Sequence, residues 1–202
     1  MSNSDPVYWK KFKERGRLLS VLCDARLGVL YKAIDATAAE GGEIWECGAY
    51  KGGTAMMLKH YVRETDRIIR LFDTFDGIPY CGPHDLHKVG SMKASTREQV
   101  AALFEGIDGI FIHQGIMPQS FSGLEDRKIS VAHVDCDQYE SVKGCLEFCY
   151  PRVHSGGYIV IDDFNCGSCP GAKVAANEFL NGRPEVLVAR GGNNPQAHFI
   201  KV

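Results

Sequence analysis

The sequence predicts an α/β fold in which a mostly parallel sheet carries helices on both faces and ends in a C-terminal hairpin. Two observations predict it. Short apolar runs alternate with segments of helical periodicity along most of the chain, the pattern of strand–helix–strand crossovers. Several of those runs stop at a glycine or an acid, where sheets of this kind gather ligand-binding groups. At about 100–200 residues per domain, a chain of 202 residues is one domain or barely two.

The elements follow in order. Leu18, Leu22, Ala25, Val29 and Leu30 form an apolar stripe at helical spacing that ends near Ala39-Glu40-Gly41-Gly42. A shorter helix precedes it, around Pro6 to Lys13. The run Gly42 to Gly48 is a first strand and Gly52 to Tyr61 a helix. Arg67 to Asp73 is a second strand. Ser95 to Phe104 is a helix with Ser95 as its N-cap. Gly109 to Gln114 and Ile129 to Asp135 are further strands. Gln138 to Tyr150 is a helix stopped by Pro151, and Tyr158 to Asp162 is a fifth strand. Ala172, Ala175, Ala176 and Phe179 mark a last helix ending at Asn181-Gly182. Glu185 to Ala189, Gly191 to Asn194 and Gln196 to Val202 form the terminal hairpin. The stretch Thr74 to Ala94 has no period, and loops of that length are usually lids or binding loops.

Composition narrows the function classes. Lys plus Arg number 23 against 25 Asp plus Glu, so the chain lacks the basic excess of a nucleic-acid binder. No run of about 18 apolar residues is present and the N-terminus has no signal-peptide h-region, so a cytoplasmic protein without a membrane partner is expected. The eight cysteines are then reduced thiols. Cys145 and Cys149 join Val142 and Leu146 in a buried helical stripe. Cys166 and Cys169 form the one C-x-x-C. A zinc site of finger type needs a second ligand pair, which His154 and His198 do not supply, so this pair is read as loop or cap cysteines, with a redox role as the lesser reading.

The strand ends carry the chemistry. Glu46, Gly48, Tyr50, Gly52, Gly53 and Thr54 follow the first strand, where glycines let a ligand approach the backbone and a helix N-terminus points its amides into the site. Asp73 ends the second strand, suited to the hydroxyls of a ribose. Gly48 to Gly52 is G-x-x-x-G, not the dinucleotide fingerprint, which favours another adenosine cofactor. Asp135 and Asp137 follow the fourth strand and, two apart, would project to one side of an extended chain. Asp162 and Asp163 follow the fifth. At 4 Å and an effective dielectric of 20, a carboxylate pair repels by about 4 kcal/mol, so pKa values rise or a cation enters. All-oxygen ligands suit a hard ion such as Mg²⁺.

At these residues the chain resembles a known family. Trp45-Glu-Cys-Gly-Ala-Tyr-Lys-Gly-Gly-Thr-Ala-Met-Met57, Leu71-Phe-Asp-Thr-Phe-Asp-Gly-Ile-Pro79, His133-Val-Asp-Cys-Asp-Gln-Tyr-Glu-Ser141, Tyr150-Pro-Arg-Val-His-Ser-Gly-Gly-Tyr158, Asp162-Asp-Phe and Cys169-Pro-Gly-Ala-Lys173 are similar to the macrocin O-methyltransferases. The resemblance runs from about Glu43 to Leu180 and implies a Rossmann-like class I methyltransferase fold. It implies S-adenosylmethionine and Mg²⁺ as cofactors and a glycoside or natural-product sugar hydroxyl as acceptor. Glu46, Gly48, Tyr50 and Thr54 would line the methionine end of the donor, Asp73 its ribose and Gly115 its adenine. Asp135, Asp162 and Asp163 would hold Mg²⁺, and Asp137 would be the general base. His87 and Ser91 are acceptor contacts, Ser91 standing where an acid is common. Residues 1–41 would be helices that cover the site or a homodimer interface, and residues 42–202 the catalytic domain. Two rival readings are a metal-dependent methyltransferase of catechols or other phenols and a cofactor-binding protein without catalysis. A phosphohydrolase reading of the D-x-D residues leaves the glycine turn unexplained.

Overall fold

A computed structural model describes residues 6–190 and 194–202. Two helices, α1 (Pro6–Leu19) and α2 (Asp24–Ala36), precede a seven-stranded sheet. The elements that follow are β1 (Glu43–Cys47), α3 (Gly53–Tyr61), β2 (Ile69–Asp73), α4 (Arg97–Leu103), β3 (Ile110–Gln114), β4 (Ile129–Val134), α5 (Tyr139–Cys149), β5 (Val153–Ile161), α6 (Pro170–Leu180), β6 (Val188–Ala189) and β7 (Ala197–Ile200). The strand order is β3-β2-β1-β4-β5-β7-β6. The first five strands are parallel, and β7 runs antiparallel between β5 and β6. The terminal hairpin is therefore present, although residues 191–193 of its loop lie outside the described residues. No helix among the described residues is long and apolar enough to cross a membrane.

Strands β1, β4 and most of β2 are buried on both faces, which is why they read as continuous apolar runs rather than alternating ones. Successive side chains still point to opposite layers. Ile44, Leu71, Val131 and Val160 pack with Trp9, Leu27, Leu30 and Met56 beneath the N-terminal helices and α3. Trp45, Phe72, Ala132 and Ile159 pack with Phe121, Leu146, Ala175 and Phe199 on the other side. Each such aliphatic or aromatic side chain withdrawn from water contributes roughly 1.5–3 kcal/mol.

Three boundaries differ from the sequence expectation. The first helix continues to Leu19, so Leu18 belongs to α1 and is 87% exposed; the break falls at residues 20–23. It falls there because α3 approaches: a Cβ on Gly53 would lie 2.1 Å from the Ser20 nitrogen. The N-cap of α4 is Thr96, not Ser95. Thr96 Oγ1 accepts from the Gln99 amide and the Gln99 side chain accepts from the Thr96 amide, a reciprocal capping box. Strand β5 begins at Val153, five residues before Tyr158. Its register slips against β4 between Ile129 and Val131, with Gly156 at φ +83° in the irregular stretch.

The order of the sheet reverses at β1, whose neighbours are β2 and β4. A crevice opens outside the carboxyl ends of strands at such a point. Residues 74–96 contain no helix or strand, and Ile78, His87 and Met92 of this segment line a cavity shared with residues at that end.

Candidate active site

The site starts with a turn that only glycine can make. Gly48 has φ +102°, and a Cβ on it would lie 1.7 Å from the Asp135 carbonyl oxygen. The ends of β1 and β4 are therefore in backbone contact, tied by the Asp135 amide donating to the Cys47 carbonyl at 2.8 Å. The next turn residue, Tyr50, is left-handed at φ 50°. Its amide donates to Asp73 Oδ2 at 2.7 Å, and the Phe75 amide donates to Asp73 Oδ1 at 2.8 Å. Asp73 thus joins the glycine turn to the long loop. Burial raises its pKa, and the amides of Phe75, Tyr50 and Ala49 oppose that rise.

Gly48, Tyr50 and Asp73 form one wall of a cavity of about 300 Å³. Asp135, Asp137 and Asp163 line the same cavity, together with Arg26, Ile78, His87, Met92, Met117 and Cys169. The extended-chain argument for Asp135 and Asp137 does not hold, because Asp137 is left-handed at φ 60°. Both reach the cavity through a tight turn in which the Gln138 amide donates to the Cys136 carbonyl at 2.5 Å.

These carboxylates feel one another. Burial, then Asp163 and Asp137, holds the Asp135 pKa well above the ordinary carboxylate range. Burial and Asp137 push Asp163 up to about 6. Arg26 opposes both shifts. Asp162 is placed differently from Asp163. It is fully buried below the cavity, where Gln196 Nε2 donates to its Oδ1 at 2.6 Å and Arg26 Nε at 3.1 Å. The Arg26 guanidinium also closes on Asp162 Oδ2. His133 lies between Asp162 Oδ1 (3.6 Å) and Glu46 Oε1 (3.8 Å), and burial with Arg26 lowers its pKa to about 3, so it is neutral.

The other sequence candidates separate into those at the cavity and those away from it. Glu46 is buried behind the cavity wall, its Oε2 without a hydrogen-bond partner among the described residues. Burial, Cys47 and Asp73 raise its pKa well above the usual value. Thr54 is buried with its hydroxyl 2.8 Å from that of Ser20, facing the α1–α2 turn. Gly115 lies in an adjoining depression, its amide donating to the Asp73 carbonyl at 2.9 Å. Ser91 turns back on its own loop, donating to the Lys88 carbonyl at 2.6 Å. His87 does line the cavity.

Two residues that matter, Arg26 and Asp85, were not singled out from the sequence, and a third, Cys169, has a contact that the sequence did not predict. Arg26 is the cation of the site, and nothing in its surroundings on α2 announces a contact 136 residues away. Asp85 caps α5 from the long loop, accepting from the Tyr139 amide at 2.8 Å and the Gly82 amide at 2.9 Å. It sits so close to α6 that a Cβ on Gly171 would be 2.3 Å from its carboxylate. Cys169, read as a loop or cap residue, is the N-cap of α6 and also donates its thiol to Asp137 Oδ1 at 3.2 Å.

Known proteins share this architecture. The chain superposes on the O-methyltransferase NovP with a TM-score of 0.79 at 23% identity, over 91% of this chain and 82% of that one. It superposes on the calicheamicin methyltransferase CalS11 with a TM-score of 0.73 at 20% identity, over 98% and 93%. By sequence it is 29% identical over 161 residues to the 8-demethyl-8-(2,3-dimethoxy-alpha-L-rhamnosyl)-tetracenomycin-C 4'-O-methyltransferase of Streptomyces olivaceus. That match covers 71% of this chain and spans 62% of the relative's length. It is 29% identical over 200 residues to the demethyldecarbamoylnovobiocin O-methyltransferase of Streptomyces niveus, covering 88% of this chain and 76% of that one. The fold is that of the class I O-methyltransferases. The family model described as macrocin-O-methyltransferase (TylF) matches residues 17–184, and the chain belongs to that family.

Proposed function

We propose that the chain transfers the methyl group of S-adenosylmethionine to a sugar hydroxyl of a glycosylated natural product, with Asp137 as general base and Mg²⁺ as a required ion. The single observation behind this reading is one cavity that joins the Gly48–Tyr50 turn and Asp73 to Asp135, Asp137 and Asp163. The relatives named for methylating a rhamnosylated tetracenomycin and a novobiocin precursor supply the acceptor class.

The residues present fit both groups. For the donor, Gly48, Tyr50 and Asp73 line the cavity, Asp73 has carboxylate lone pairs beyond its two amide bonds, and Glu46 Oε2 behind that wall is a buried acceptor without a partner among the described residues, where it would attract the donor's ammonium. For the ion, Asp135 and Asp163 are oxygen ligands that mutual repulsion makes receptive to a hard cation. Asp162 would complete the set by exchanging its contact with Arg26. When bound, Mg²⁺ would stabilise negative charge on the acceptor oxygen, the way metals lower the pKa of bound water.

In the transfer the sulfonium carbon–sulfur bond breaks, an oxygen–carbon bond forms, and the hydroxyl proton goes to Asp137 and then to solvent. The thiol of Cys169 donates weakly to one Asp137 oxygen at 3.2 Å. His87 and Met92 on the long loop, with Met117, would border the acceptor. Homocysteine release from a panel of glycosides, sugar nucleotides and catechols, with and without chelator, tests the whole reading. Turnover of a glycoside that stops on chelation is expected. Turnover of catechols alone, or no turnover of any acceptor, would overturn it.

A further inference from the structure

We propose that His87, Cys169 and Asp137, with Cys166 beside them, form a second cation site at the mouth of the cavity, one that takes a borderline-soft divalent ion of the zinc class. It uses none of the three aspartates proposed for Mg²⁺. Its ligands come from three separate places: the long loop after β2, the turn after β4 and the N-terminus of α6. Cys169 Sγ lies 3.5 Å from His87 Nε2 and 3.2 Å from Asp137 Oδ1, and the three ligand atoms all lie within 4.8 Å of one another.

Those separations are the edges of a tetrahedral metal site. With zinc–sulfur bonds of about 2.3 Å and zinc–nitrogen or zinc–oxygen bonds of about 2.0–2.1 Å, tetrahedral angles put the ligand atoms about 3.5 Å apart. Both measured edges are close to that length. A second thiol is at hand, since Cys166 Sγ, Cys169 Sγ and a carboxylate oxygen of Asp163 also fall within 4.8 Å of one another. A tight turn holds that pair, with the Cys169 amide donating to the Cys166 carbonyl at 3.1 Å. Hydrogen bonding alone explains the arrangement poorly, because a thiol is a weak donor and a weak acceptor. Sulfur and imidazole together select against Mg²⁺ and Ca²⁺ and for zinc-like ions. The expectation from sequence sought a second ligand pair at finger-like spacing and weighed His154 and His198, whereas His87 stands 82 residues before Cys169 and arrives through the fold.

Binding replaces the Cys169 sulfur–hydrogen bond by a sulfur–metal bond, and the thiol proton leaves to solvent. The ion would tie the long loop to α6 and take up an oxygen of Asp137, so it would block methyl transfer. That effect on turnover rests on the function proposed above; the binding itself does not.

Titration of the metal-free full chain with Co²⁺, in excess Mg²⁺, tests the site by absorbance. One Co²⁺ per chain is expected, with the near-ultraviolet charge-transfer band of a thiolate–cobalt bond and the visible bands of tetrahedral cobalt, all removed by Zn²⁺. Cys169→Ser should weaken binding at least about tenfold, and the double variant Cys166→Ser/Cys169→Ser should lose the charge-transfer band. His87→Ala, a change in a loop outside the core, should weaken binding at least about tenfold, since even partners outside the ligand shell are worth that much. Cys23→Ser and Cys81→Ser, which alter exposed thiols elsewhere, should change nothing. A wild-type chain without the band, a band that survives in the folded double variant, or full affinity in folded Cys169→Ser or His87→Ala, overturns the site. Co²⁺ bound as stated in a chain that methylates no acceptor would leave the site standing and remove the methyltransferase reading. Methylation without the band would do the reverse.

Discussion

Asp137 and Asp73 line one cavity and are expected to fail in different ways. Asp137→Asn keeps the shape of the side chain and removes its basicity. The rate of homocysteine release should fall by about 10²–10⁴, the usual worth of a positioned base. The thermal shift produced by S-adenosylhomocysteine should stay as in the wild type, because Asp137 is not among the residues proposed to hold the donor. A full rate in this variant would put the base elsewhere. Asp73→Asn acts on binding. The carboxylate accepts from two backbone amides, and an asparagine amide group would set N–H against N–H at one of them. Calorimetric affinity for S-adenosylhomocysteine should drop by roughly 10–100-fold, as hydrogen bonds to a charged partner are worth about 1.5–3 kcal/mol. The same variant should lose about 1–3 kcal/mol of stability in urea, from the unpaired buried donor. Affinity lost with stability intact would mean that the two amides find other partners.

Helix α4 offers a test of how local sequence is read. Ser95 and Thr96 are both good N-caps, and sequence alone favoured the first. The fold gives the cap to Thr96 and sends the Ser95 hydroxyl to the Tyr50 carbonyl. Thr96→Ala should therefore cost about 1 kcal/mol in a urea titration. Ser95→Ala should spare the helix and act instead on donor affinity through Tyr50. Equal stability losses in the two variants would contradict the assignment. The same contrast marks how much was legible. Strands announced themselves because burial on both faces leaves an unbroken apolar run, as in β1 and β4. Their carboxyl ends announced the site because ligand groups collect there, and Gly48, Asp73, Asp135 and Asp163 do share a cavity. What stayed hidden depends on contacts between distant segments. The break between α1 and α2 is set by the approach of Gly53, the capping of α5 by Asp85, and the position of Asp162 by Arg26. None of these leaves a periodic trace in the chain. The start of β5 was hidden for a different reason: Ser155, Gly156 and Gly157 carry no apolar strand signal but lie within an irregular strand.

At the scale of the molecule, the cavity is closed by pieces that belong to no single layer. Val21 comes from the break between α1 and α2, Arg26 from α2, Ile78, His87 and Met92 from the long loop, and Cys166 and Cys169 from the turn that leads into α6. The sheet and its two apolar layers hold the far ends of these segments, while residues 74–96 have no ladder or helix of their own. Such a segment opens at a lower free energy than the strands beneath it. Lys88 and Lys93 are exposed on it, so trypsin should cut there first. Where opening is fast relative to cleavage, the cutting rate follows the open population. Donor product and ion together would bridge the Gly48 turn, the carboxylates and the loop, and would bind the closed form. At 100 times the dissociation constant, that coupling is worth about 2.7 kcal/mol, or roughly a hundredfold slower cleavage. Limited digestion read by mass spectrometry, with and without S-adenosylhomocysteine and Mg²⁺, measures it directly. Protection at Lys88 and Lys93 should shrink to about 2–11-fold in Asp73→Asn at the same ligand concentration, because an affinity roughly 10–100-fold weaker leaves that variant at only about 1–10 times its own dissociation constant. Equal cleavage with and without ligands in the wild type would mean that the loop takes no part in enclosing the donor, and that the cavity is shut by the helices alone.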